Sequence, residues 1–143
     1  MPVAPPNLEF RQEKAIEMIH EMHGEVLDTL TSNASIQERD TWPVKQAAAE
    51  ALLAGTASAE DINMLEVEAV LTGITKEELA TKIVQKSFAF KHLVGKAAGL
   101  RAAGIRAIMG CQSMEQVSMT MAHIENKIDQ EVIAFTQAME ASS

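Results

Sequence analysis

Glu17-Met-Ile-His20, with His23 one turn further on, has the spacing with which helical di-metal proteins present a carboxylate and an imidazole to a shared metal. Such a site needs a second Glu-x-x-His and two more inward carboxylates. Neither is present: the residue three before His123 is Thr120, and three before His92 is Ala89. His20-Glu-Met-His23 also misses the four-residue separation of paired zinc-binding histidines. A histidine pair on a polar helix face accounts for these residues. Cys111 follows a glycine near a helix end with no histidine adjacent in sequence, and reads as a structural or incidental thiol. Gly95-x-x-x-Gly99 lies inside a helical pattern, without the strand or the Gly-Lys-Ser/Thr ending of a phosphate loop. No catalytic, cofactor-binding or metal-binding residue is assigned, and the chain reads as a non-enzyme.

The composition sets the class in which any other function must be found. The 143 residues are 47% apolar and 22% charged, with one Trp, four Phe, no Tyr and one Cys. This is too apolar for a disordered segment and too poor in cysteine for a disulfide scaffold. Ala, Glu, Met, Ile and Leu dominate, so the chain is rich in helix formers and short of strand-favouring aromatics. A net charge of −8 argues against binding nucleic acid or an anionic membrane. No apolar run approaches the ~20 residues that span a bilayer. The N-terminal Met1–Pro6 has neither the basic region nor the apolar stretch of a secretory signal, which implies the compartment of synthesis.

The predicted architecture is all-α: an irregular bundle of about five helices in one domain, residues 7–140, between a flexible Pro-rich lead (1–6) and a frayed tail (141–143). Leu8, Ala15, Ile19, Met22, Val26 and Leu30 recur at a helical period from a cap at Asn7. Opposite them Glu9, Glu13, Glu17, Glu21 and Glu25, with Asp28, form an acidic ladder, either a solvated face or a docking ridge. Ser35 and Glu38 have capping-box spacing for a short turn, and Pro43 places the next helix start at Thr41 or Trp42, with a body from Val44 to Ala54 and a stop at Gly55. Ser58 with Asp61 opens a third helix closed at Gly73, Thr75 with Glu78 a fourth, and Ser113 with Gln116 the last. The last helix carries Val117, Met121, Ile124, Ile128, Val132, Phe135 and Met139 in one stripe.

The fourth helix, about residues 76–109, spans roughly 50 Å at the standard rise. Leu79, Ile83, Phe90, Val94, Ala97, Ile105 and Ile108 share one face; Gly95, Ala98, Gly99 and Ala102, with Val84 and Phe88, share another. Two contact faces predict a helix lying between neighbours, and Gly95, Gly99 and Gly104, each costing ~1 kcal/mol of helix propensity, call for either a packing reason, the favoured reading, or a kink. Between Lys82 and Gly110 there is no acidic residue, but Lys82, Lys86, Lys91, Lys96, Arg101 and Arg106 spiral around the axis. They are placed to meet the acidic helices or an acidic partner on several sides. A compact chain of this size has a radius of gyration of only about 14 to 15 Å, so the helix either kinks near Gly95–Gly104 or projects and pairs with another copy, and self-association is expected. Among the methionines, Met18, Met64, Met109, Met114 and Met119 fall off the core stripes and are candidates for partner contact.

One stretch resembles a known family. Asp40-Thr-Trp-Pro-Val-Lys-Gln46, Ala49-Glu-Ala51, Gly73-Ile-Thr75 with Glu78-Leu-Ala80, and the Phe90–Gly95 segment together resemble a helical domain of unknown function. That domain recurs in tailed-phage and prophage tail genes, often in tail-fibre or tail-fibre-assembly proteins. The likeness covers roughly residues 40–108, and Trp-Pro with a Gln three residues on is its distinctive part. It implies a phage-tail context, as a small assembly chaperone or accessory tail component, with Trp42, Pro43, Gln46 and Glu50 as marker residues and no catalytic residues. The expected partners are another phage tail protein and further copies of the chain, in the bacterial host cytoplasm during assembly or in the virion tail. Gly95 and Gly99 complete the candidate interaction residues. Trp42 serves either as the anchor of a helix start or as a partner hot spot. The alternative function is an acidic interaction protein of the antitoxin or anti-repressor type, masking a basic target with the ladder of residues 9–28.

Overall fold

The computed structural model describes residues 7–31 and 36–142. They form five helices: α1 (Leu8–Thr31), α2 (Ile36–Ala54), α3 (Ala59–Thr72), α4 (Lys76–Met109) and α5 (Met114–Ala141). No strand occurs among the described residues, so the fold is all-α. The expectations for residues 1–6, for the Ser35 cap and for Ser143 lie outside the described residues.

Local chemistry sets most helix ends. Ser58 accepts the Asp61 amide (3.1 Å), Thr75 the Glu78 amide (3.1 Å) and Ser113 the Gln116 amide (3.1 Å), each satisfying a donor that the first helical turn leaves open. Gln116 Oε1 in turn accepts the Gln112 amide at 2.7 Å. Gly55 and Gly73 sit in the left-handed region at φ +76° and +78°, where side chains are disfavoured. At Gly73 the Gly73 and Ile74 amides reach back to the Val70 and Ala69 carbonyls; at Gly55 the Gly55 and Thr56 amides reach Leu52 and Ala51.

Pro43 does not start α2, contrary to expectation: the helix begins at Ile36 and runs through it. The fixed φ of proline is itself helical, so the ring costs one backbone hydrogen bond and some crowding of the Arg39 carbonyl. Tertiary contacts on either side of it hold the helix. Trp42 meets Phe90 of α4 edge to face (centroids 5.7 Å apart, 70° between planes), and Lys45 Nζ lies 2.6 Å from Glu68 of α3.

The chain divides into two compact units, and the 34-residue α4 contributes one half to each. In the first unit (described residues 7–31 and 92–134), α1, the second half of α4 and most of α5 enclose an aliphatic core. Ile19, Leu93 and Ile108 are fully buried there, with Ala15, Val26, Val117, Met121, Ile124 and Ile128 around them. Gly104 lets the helices close: a Cβ on it would lie 2.8 Å from Ile124 Cδ1 and 3.3 Å from Ile19 Cδ1. Gln12 of α1 caps the end of α4, its amide donating to the carbonyls of Ile108 (3.0 Å), Cys111 (3.1 Å) and Met109 (3.4 Å).

The second unit holds α2, α3, the first half of α4 and the end of α5. Its buried apolar side chains are mainly alanines, Ala48, Ala49, Ala69 and Ala80, with Leu65 the one large aliphatic among them. Order continues past the expected fraying point: Ala141 is helical, and Ser142 is buried with its hydroxyl donating to the Ala138 carbonyl at 2.9 Å.

Candidate functional site

The alanine core of the second unit has a consequence on its surface. Small residues let α2 and α3 approach closely, and beside the buried Leu65 several large side chains of both helices are exposed. On α3, Val67, Val70 and Leu71 are 52%, 71% and 82% exposed; on α2, Val44 and Leu53 are about half exposed. Val67, Val70 and Leu71 fall within about 100° of one another around α3 and make one apolar strip with the composition of an interaction surface, whereas Val44 and Leu53, nine residues apart, lie on opposite sides of α2. A shallow groove of about 290 Å³ runs along the strip, lined by Lys45, Met64, Leu65, Val67, Glu68, Leu71 and Thr72. The Lys45–Glu68 pair is the polar feature of this otherwise apolar wall.

The marker residues Trp42, Gln46 and Glu50 follow at four-residue steps along one side of α2, and Gln46 Nε2 donates to Glu50 Oε1 at 3.0 Å. Trp42 is 38% exposed and lies inside α2 rather than at its start, where its edge-to-face contact ties α2 to α4. Pro43 is exposed in the helix interior. Gly95 and Gly99 belong to the first unit, on an exposed side of α4 with Ala102. The second contact face expected of α4 therefore meets nothing among the described residues at these glycines: a Cβ on either would have none of their atoms within 4 Å beyond its own helix. The buried line of this half of α4 runs instead through Leu93, Ala97, Gly104 and Ile108.

Electrostatic placement also departs from expectation. All six carboxylates of the α1 ladder are exposed, because the geometry that turns Ile19 and Val26 inward turns them to solvent. Among the described residues no carboxylate lies within 4 Å of the charged nitrogens of Lys86, Lys91, Lys96, Arg101 or Arg106. Arg101 instead lies 3.5 Å from His23 Nδ1 of α1, a contact in which the guanidinium donates when Nδ1 carries no proton. Burial, the Arg101 charge and His20 together hold the His23 pKa below the ordinary histidine value. His92 Nε2 lies 3.6 Å from Glu131 of α5.

Glu17 takes Lys14 Nζ at 3.4 Å and His20 is exposed; no group of three potential metal ligands occurs among the described residues. The Cys111 thiol is buried, donating to the Ala107 carbonyl at 3.2 Å with Thr120 Oγ1 3.6 Å away. Of the off-stripe methionines, Met18, Met109 and Met119 are exposed and Met64 lines the groove. None of the described helices is long and apolar enough to cross a membrane. No protein family, curated protein or solved structure matches the chain.

Proposed function

We propose that this chain is a non-enzymatic, tail-associated protein of a tailed phage or prophage, a small tail or tail-fibre assembly chaperone or accessory component that binds another tail protein by helix packing. The observation that carries the binding half of this proposal is the apolar α2–α3 surface, where Val67, Val70 and Leu71 face solvent while alanines fill the core beneath. Burying such side chains against a partner gives roughly 25 cal/mol per Å² of apolar area, enough for three or four aliphatics to dominate an interface. The tail context rests on the Trp42-Pro43-x-x-Gln46 likeness, whose residues flank that surface on α2. Co-expression with each tail protein encoded by the same phage tests the proposal. One of them is expected to co-purify stoichiometrically; co-purification of none would refute it.

A second proposal draws on the α1 ladder, whose six exposed carboxylates suit a protein that masks a basic target. Its signature is a complex that weakens steeply between low and high salt, whereas binding through Val67 and Leu71 is nearly insensitive to salt.

A further inference from the structure

The exposed side of α4 in the first unit has an unusual makeup. Gly95, Gly99, Ala102 and Ala103 are exposed along it, with Lys96 at its edge and Arg106 on the same face about 15 Å further along the axis at the helical rise. Neither cation has a carboxylate within 4 Å among the described residues, and no acidic residue occurs anywhere in α4 beyond its first turn. In the same unit, α1 presents a carboxylate at every fourth position from Glu9 to Glu25, then Asp28, all exposed. One helix face is positive and free of bulk; another is a negative ridge with a repeat of about 6 Å.

We infer that these faces are complementary parts of a self-association surface: the Gly95–Arg106 side of α4 receives the acidic α1 ridge of a second copy, with Lys96 and Arg106 against its carboxylates. Charge selects the partner. The chain carries −8 overall, so two copies repel at long range, and a partner that brings its carboxylate ridge onto α4 places its densest acidity where the local charge is reversed. Bare backbone at Gly95 and Gly99 then lets the ridge helix come close enough for short ion pairs. Each copy carries both faces, so the contact needs no other protein and stands apart from the α2–α3 surface and its tail partner.

The sign of the salt dependence separates this contact from an apolar one. Association through Val67 and Leu71 would strengthen as salt screens the −8 against −8 repulsion, and association through Lys96 and Arg106 weakens. Sedimentation equilibrium on the purified chain is expected to show self-association at low salt that weakens at least tenfold at about 0.5 M salt. Lys96→Glu/Arg106→Glu should abolish it, as should Glu17→Lys/Glu21→Lys, and mixing the two variants should restore it. Gly99→Leu, whose Cβ finds open space on the exposed side of α4, should retain Tm and weaken association at least tenfold. A chain that stays monomeric at low salt and high concentration would overturn the inference. So would association that strengthens with salt, or charge-reversed variants that do not complement.

Discussion

Replacing Gly104 by alanine puts a methyl carbon 2.8 Å from Ile124 Cδ1 and 3.3 Å from Ile19 Cδ1, against side chains that are 4% and 0% exposed. On helix propensity alone the change is worth about 1 kcal/mol in favour of the folded state. The overlap opposes it. Ile124 must turn or α1 and α5 must give way within a packed core, and overpacking of this kind costs typically 1 to 3 kcal/mol. The net effect is between about zero and 2 kcal/mol of destabilisation. Gly95→Ala and Gly99→Ala, with no neighbour within 4 Å, keep the propensity gain and should stabilise by about 0.5 to 1 kcal/mol each. The two groups should differ by roughly 1 to 3 kcal/mol, or about 3 to 10 °C in Tm for a chain of this length. Thermal and denaturant unfolding followed by circular dichroism, in about 0.5 M salt to suppress self-association, reads the difference. Gly104→Ala gaining as much as Gly99→Ala would refute the close approach of α1, α4 and α5.

Three further outcomes follow from side chains in the same unit. Gln12→Leu removes the donor shared by the Ile108, Met109 and Cys111 carbonyls, and should cost about 1 to 2 kcal/mol by denaturant titration; no loss would mean that water caps α4 equally well. His23 has a folded-state pKa below its unfolded value, so its contribution is full above the unfolded value near 6.5 and is lost as pH falls through and below it. Tm should therefore drop on acidification more in the parent than in His23→Gln, and parallel pH profiles would contradict the Arg101–His23 contact. Cys111, buried and bonded to Ala107, should react with a thiol reagent only as fast as the unit opens, and rapid labelling under native conditions would show the thiol to be accessible.

How much was legible in the sequence differs between the units for a physical reason. In α1 and α5 the apolar stripes are amphipathic, and Ala15, Ile19, Val26, Val117, Met121, Ile124 and Ile128 are buried as their period predicts. Caps at Ser58, Thr75 and Ser113 and the left-handed glycines 55 and 73 are local chemistry, so those helix ends were readable to within a residue or two. Pro43 does not end α2: its φ is helical, and contacts distant in sequence, Trp42–Phe90 and Lys45–Glu68, offset part of the lost hydrogen bond and the crowding at Arg39. The α2–α3 surface was hidden because hydrophobicity there does not mark the inside: alanines are buried and valines exposed, a pattern with little helical moment. Leu93 escaped the face drawn for α4, although its spacing to Ala97, Gly104 and Ile108 marks the true buried line. The pairing of Gln12 with the end of α4, and of Arg101 with His23, depends on which helices meet, which periodicity does not specify.

The account stands most directly on whether the α2–α3 surface binds the partner. Val67→Glu/Leu71→Glu alters side chains that are 52% and 82% exposed, so helicity and Tm should stay close to the parent. Titration of the co-purifying tail protein should show affinity lowered at least tenfold, about 1.4 kcal/mol or more. Unchanged affinity in that correctly folded variant would contradict the assignment of this surface.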